Sequence, residues 1–206
     1  MKLYLASGNA HKAGEFQSLA GATGNPLEIV PAAVVGGMPA VVEDAGTFAG
    51  NARKKALALR ARLPADAWAL ADDSGLCVDA LGGAPGVESA YYAGPQGDSA
   101  ANLKKLVAAM QGVPEARRGA HFTCVLVVAG PAGEFIFAGR CAGRLLAEPR
   151  GGGGFGYDPL FVPEGYEQSF SELGPGIKNR LSHRGRAWEK LAEWLKTEGL
   201  NASREP

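Results

Sequence analysis

Residues 121–146 read HFTCVLVVAGPAGEFIFAGRCAGRLL. Two strand-like runs, 121–129 and 134–146, flank the turn residues Gly130-Pro131-Ala132-Gly133, and such a turn between two extended runs signals a hairpin. Toward the N-terminus, Asp98 opens an amphipathic helix bearing Leu103, Leu106, Val107 and Met110, which Gly112 closes. Before it, the apolar run 68–71 reads as a buried strand that leads straight into Asp72-Asp73-Ser74-Gly75. Thr47 is placed to cap a helix reaching about Leu63, where Phe48, Ala52, Ala56, Leu59 and Leu63 share a face and Pro64 ends it. Residues 28–35 look extended, with Pro31 interrupting them. At the start, 2–6 alternates as a short strand, Ser7-Gly8-Asn9 breaks it, and 11–20 carries helix formers with Phe16, Leu19 and Ala20 on one side. In the C-terminal part a last helix is predicted from near Ser182 to about Glu198, striped by Trp188, Leu191, Ala192 and Leu195. The tail 201–206 is expected to be frayed. Strands alternating with helices, plus one long hairpin, predict a mixed α/β fold, and no repeat or long linker divides 1–206.

Bulk properties narrow the function. A chain of 206 residues can bury a core as one large domain or as two lobes around a cleft. Its 21 basic and 21 acidic residues cancel, whereas proteins that work on long nucleic acids carry a basic excess. No nucleic-acid partner is therefore expected, and any anion bound is small and held locally. The longest apolar run, 124–129, is far short of a membrane span, and residues 1–6 turn polar too soon for a signal peptide. Three cysteines, Cys77, Cys124 and Cys141, make no CxxC pair; buried reduced thiols and a cytoplasmic setting are expected. The 30 glycines imply tight turns or close backbone approaches to a ligand.

Four segments carry candidate chemistry. Ser7-Gly8-Asn9-Ala10-His11-Lys12 stands at a strand-to-helix junction, where unpaired N–H groups and partial positive charge suit a phosphate and Lys12 adds a full charge. It is no Walker loop, and by itself it is equally a capped helix with an exposed lysine. Asp72 and Asp73 follow a buried strand, where paired carboxylates need a compensating cation; magnesium, which takes one or two carboxylates plus phosphate oxygens, fits. Glu43 and Asp44, just before a helix, offer another ligand or a solvated cap. The run Gly151 to Gly154 leads into Phe155, Gly156, Tyr157 and Asp158, a stacking face and a carboxylate suited to a loop over a base. Lys178, His183, Arg184 and Arg186 put donors near the start of the last helix, where positive charge is disfavoured unless an acceptor-rich partner faces it.

In order along the chain, Ser7-Gly-Asn-x-x-Lys12 with Glu15, Ala71-Asp-Asp-Ser-Gly-Leu76, Gly82-Gly-Ala-Pro-Gly86, Gly154-Phe-Gly-Tyr-Asp-Pro159 and Ser182-His-Arg-Gly185 closely resemble the inosine/xanthosine triphosphate pyrophosphatase family. The match runs from about Lys2 to Leu195. The resemblance implies an ITPase-like (Maf/HAM-like) α/β fold, a long twisted mixed sheet flanked by helices, two lobes around a central cleft, and a homodimer. It implies magnesium-dependent hydrolysis of ITP, dITP and XTP to the monophosphate and pyrophosphate. By the same analogy Ser7, Gly8, Asn9, Ala10, His11 and Lys12 bind the triphosphate. Asp73, assisted by Asp72, accepts a proton, and Asp73 and Glu43 hold the metal. Ser74 contacts substrate, and Phe155, Gly156, Tyr157, Asp158, Lys178, His183 and Arg184 recognise the base. Lys55 is a further phosphate candidate. The alternatives are a Maf-like pyrophosphatase for modified pyrimidine triphosphates and a nucleotide-binding regulator that does not hydrolyse.

Hydrogen-bond logic gives selectivity: a 6-oxo purine accepts from His183 and Arg184, whereas the 6-amino group of adenine leaves a donor facing a donor, a mismatch worth up to ~10⁵ in discrimination. The chain departs from the family pattern in three places. Gly50 stands where relatives often carry Glu, Tyr91 replaces the arginine of a frequent Ser-Ala-Arg-Tyr, and Ser7 replaces a common threonine while keeping the hydroxyl.

Overall fold

The computed structural model describes residues 1–22 and 27–199, so the expected fraying of 201–206 lies outside the described residues. Strand β1 (Lys2–Leu5) leads into helix α1 (Ala10–Ala22) and strand β2 (Glu28–Pro31). The extended stretch ends at Pro31, not Val35: Ala32–Val35 turns as a 3-10 helix closed by Gly36 in the left-handed region at φ 86°. Thr47 caps helix α2 (Phe48–Arg60), its hydroxyl accepting from Gly50 N, and Leu63 lies buried just past the helix. Strand β3 (Trp68–Val78) is followed by helix α3 (Ser99–Ala109), capped by Asp98, whose carboxylate accepts from Ala100 N and Ala101 N. The predicted hairpin is strands β4 (Gly119–Gly130) and β5 (Gly133–Leu145).

Three elements were not anticipated as they stand. Strand β6 (Phe161–Pro163) is too short to leave a pattern. Helix α4 (Phe170–Leu181) contains Gly174 at φ 74° and Pro175, which break its regularity. Its N-terminal signature was nevertheless present: Ser169 and Glu172 form a reciprocal capping box. The last helix, α5 (His183–Trp194), is shorter than expected because Leu195–Gly199 widens into a π-helical turn.

Strand order in the sheet is β2-β1-β3-β4-β5-β6. β1 runs parallel to β2 and to β3, with Leu5 opposite Leu70, while β5 and β6 are antiparallel. The sheet is therefore mixed, as the α/β expectation required. The chain divides into two compact units, one made of 1–73, 124–138 and 186–199 of the described residues, the other of 74–123 and 139–185.

In the first unit the period of two along each strand builds a core on each sheet face. Trp68, Leu70, Cys124, Leu126 and Val128 pack with Phe16 of α1 and Trp188 and Leu191 of α5. The intervening Ala69, Ala71, Val127 and Ala129 pack with Ala52, Ala56 and Leu59 of α2. Full burial of a residue such as Leu70 contributes about 1.5–3 kcal/mol by area. The second unit has its own core around Leu76, Leu106, Phe122, Phe161 and Phe170. The three cysteines remain unbridged, Cys124 and Cys141 buried and Cys77 half-buried. No helix among the described residues is long and apolar enough to cross a membrane.

Candidate active site

The segment Asp72-Asp73-Ser74-Gly75 was expected just past the end of an apolar strand, with a plain Asp-rich turn as the alternative. It is instead the middle of β3, which continues to Val78. The alternation that gives the first unit its two cores carries on through the carboxylates. Asp72 follows Trp68 and Leu70 onto the face covered by α1, and Asp73 follows Ala69 and Ala71 onto the face covered by α2. Each helix supplies a lysine. Lys12 Nζ lies 2.9 Å from Asp72 Oδ1, and Lys55 Nζ lies 2.8 Å from Asp73 Oδ1. Two adjacent buried charges can thus stay inside a strand, because separate helices compensate them from opposite sides.

The face of Asp73 is the more crowded. Lys55 Nζ also donates to Glu43 Oε2 at 2.8 Å. One turn earlier on α2, the buried Asn51 reaches Asp73 Oδ2 at 3.4 Å and accepts from Ala45 N at 3.0 Å. Lys54 ties the same loop through the Val42 carbonyl and the Asp44 carboxylate. Successive turns of α2 therefore hold the loop that carries Glu43 and the carboxylate of Asp73.

Electrostatics reflect this packing. Burial pushes the Asp73 carboxyl up to about 6, against the pull of Lys55 and Lys12, and the nearby Glu43 charge adds to the rise. Burial alone would lower the Lys55 ammonium, but Asp73, Asp72 and the bonds to Asp73 and Glu43 hold it above its ordinary value. Glu43, Asp72 and Asp73 set three negative charges against two from Lys12 and Lys55. That net negative, oxygen-rich set fits a hard divalent cation that takes one or two carboxylates and fills its shell with phosphate and water. Among the described residues no three His, Cys, Asp or Glu side chains form a ready cage.

The loop before α1 is organised from within. Asn9 Oδ1 accepts from the amides of His11 and Lys12 at 2.9 and 3.2 Å, and Ser7 Oγ accepts from Asn9 N at 3.1 Å. Gly8, Asn9, Ala10 and His11 are exposed. Lys12, in the first turn of α1, reaches the Asp72 carboxylate.

In the second unit the predicted base-binding residues fall into two groups. Asp158 accepts from Phe155 N at 2.9 Å and from Lys178 Nζ at 2.7 Å, and the same ammonium lies 4.5 Å from the centre of the Phe155 ring. Lys178 belongs to α4, not to the start of the last helix. Tyr157 is buried and donates to the Ser89 carbonyl at 2.9 Å; burial, with Tyr92 nearby, raises its hydroxyl well above the ordinary value. In the other group, Arg184 Nη2 donates to Ser74 Oγ at 3.0 Å, and the His183 ring stacks on Phe122 with centroids 4.7 Å apart. Ser182 Oγ accepts from Gly185 N at 3.1 Å, and Gly185 admits no Cβ because the Asn179 carbonyl lies against it. That close approach of α4 and α5 fixes where Arg184 emerges.

Sequence reasoning missed Asn51 and the double engagement of Lys55. The available signal was an Asn and a Lys four apart beside the apolar Ala52 and Ala56, where polar side chains need buried partners. It also missed Ser89 and Asn102, which brace the loop under Tyr157: Ser89 Oγ accepts from Leu76 N and Asn102 Nδ2 donates to the Ala90 carbonyl, both at 2.9 Å.

The mixed six-stranded α/β sheet and its order of elements define a protein of the Ham1 family, whose model matches residues 3–194, and the chain belongs to that family. The dITP/XTP pyrophosphatase of Opitutus terrae is similar at 63% identity over 199 residues, covering 94% of this chain and 98% of the relative. That of Desulforamulus reducens is 48% identical over 196 residues, covering 95% and 96%. Among solved structures, the Staphylococcus aureus Ham1 protein superposes with a TM-score of 0.84 at 31% identity, over 96% of this chain and all (100%) of that one.

Proposed function

We propose that this protein hydrolyses non-standard purine nucleoside triphosphates, dITP, ITP and XTP, to the monophosphate and pyrophosphate. Magnesium dependence, a homodimeric state and a cytoplasmic setting belong to the same reading. Support comes from relatives named dITP/XTP pyrophosphatase that are similar over nearly the whole chain. The observation that carries it is the over-subscribed carboxylate pair, Glu43 and Asp73, sharing one lysine.

In this reading Glu43 and Asp73 would hold magnesium, which would supply neutralising charge to the phosphates. Asp73 accepts the proton of the attacking water at a carboxylate oxygen, and its raised pKa brings it toward the range where a base works at neutral pH. Asp72 keeps Lys12 in place at 2.9 Å, and Lys12 stabilises the pyrophosphate leaving group. Phe155 supplies a stacking face on a loop held closed by Asp158 and Lys178. Arg184 and His183 donate to a 6-oxo purine, and an arginine cannot accept from the 6-amino group of adenine.

The test is a panel of dITP, XTP, ITP, dGTP, dATP and dUTP with and without magnesium, scored by pyrophosphate release. The expected result is fast release from the first three only, dependent on the metal. Equal rates on dATP, or release of orthophosphate, would sink the reading.

A further inference from the structure

Lys55 bridges the two carboxylates that a divalent cation would use. Its ammonium is 2.8 Å from Glu43 Oε2 and 2.8 Å from Asp73 Oδ1, and its side chain is only 11% exposed. Two carboxylates converging on one point repel each other unless a cation lies between them. In this structure that cation is the lysine. A divalent ion using the same two oxygens would meet the ammonium at contact distance, and like charges so close in a buried site are strongly unfavourable.

We infer that Lys55 is the resident counter-cation of the Glu43–Asp73 pair: it holds the metal-free site together and competes with the metal for it. Polyphosphate relieves the competition by giving the ammonium another partner. The inference rests on the proposed assignment of Glu43 and Asp73 as metal ligands.

Two further features fit this role. The Lys55 stem is flanked on α2 by the fully buried Ala52, Ala56 and Leu59, so its base is fixed while the tip keeps the freedom of a four-carbon chain. Asn51, one turn away, holds Asp73 Oδ2 at 3.4 Å and the Ala45 amide at 3.0 Å. Both bonds are independent of Lys55, so the Asp73 carboxylate and the backbone of the Glu43 loop stay positioned when the ammonium leaves. Lys55 is thus a positioning residue whose removal strengthens one step, cation binding, while weakening the metal-free fold. A residue with a purely structural role would weaken both.

The experiment titrates Mn²⁺ alone into the nucleotide-free, full-length protein and follows free Mn²⁺ by electron paramagnetic resonance. Wild type, Lys55→Met and Glu43→Gln are compared. Lys55→Met is expected to bind Mn²⁺ roughly tenfold or more tightly than wild type, the scale on which a neighbouring charge shifts a carboxylate equilibrium. Glu43→Gln is expected to bind more weakly. If Glu43→Gln weakens binding while Lys55→Met leaves it unchanged or weaker, the counter-cation role is overturned and the metal assignment stands. If Glu43→Gln binds as wild type does, the metal assignment itself fails, and the inference falls with it. Should Lys55→Met not fold, Lys55→Gln carries the same expectation, since it also removes the charge.

Discussion

Asp73 and Asp158 are both buried aspartates facing a buried lysine, at 2.8 Å from Lys55 in the first unit and 2.7 Å from Lys178 in the second. Their surroundings differ in two respects. Asp158 also accepts the Phe155 amide, and Lys178 meets the Phe155 ring, so that pair is closed into a local loop structure. Lys55 is shared between two carboxylates, and Asp73 is left with burial winning over its partners. The same two residue types make a closed pair in one place and a lysine shared between two carboxylates in the other. What distinguishes them is the stoichiometry of charge and the presence of backbone donors.

The contrast can be broken most sharply by mutation. Asp73→Asn should lower pyrophosphate release from dITP by about 10³-fold or more at saturating magnesium, the scale of a lost general base. Its thermal midpoint should stay close to wild type. Asp158→Ala should do the reverse. Leaving Lys178 buried without its carboxylate costs about 3 kcal/mol, seen as a thermal midpoint lower by roughly 6–12 °C. The folded fraction should keep its kcat and show a raised KM for dITP, because the same pair holds the loop that carries Phe155. If Asp158→Ala lost kcat at an unchanged midpoint, the closed pair would be part of the chemistry and the comparison would collapse.

The smallest effect concerns pH. The Asp73 carboxyl, raised to about 6, is protonated below that value and ionised above it. A proton therefore competes with the cation only on the acid side, and apparent metal affinity should fall roughly tenfold per pH unit below about 6. Between pH 7.5 and 8.5 it should be flat. Magnesium half-saturation measured at pH 5, 6, 7.5 and 8.5 checks this.

Much of the fold was legible because it is periodic. The hairpin of β4 and β5, the Thr47 and Asp98 caps and the stripe of α5 are all written in neighbouring residues. The continuation of β3 through Asp72 and Asp73 was not. Two carboxylates in a strand look prohibitive until Lys12 and Lys55, 60 and 18 residues away in sequence, are known to flank opposite faces. Helix α4 was hidden by Gly174-Pro175-Gly176, which locally reads as a break and in part is one. In the site, chemical types were legible but partners were not. Asp158 looked like an open carboxylate and is engaged by Phe155 and Lys178, and Asn51 carried no recognised role although it touches Asp73. Partnership across a fold is set by tertiary contact, which local pattern does not encode.

Gly50 constrains which substitutions the loop can accept. A Cβ built there would lie 2.5 Å from Ala45 Cβ and 2.9 Å from Thr47 Oγ1, so the loop carrying Glu43 is packed against a residue with no side chain. An acidic side chain cannot be introduced at this position by one substitution without moving that loop. Residue 45 must shift, and the Thr47 cap with it, before any side chain is tolerated at 50. The order in which residues 45, 47 and 50 can change is thereby constrained by two van der Waals contacts.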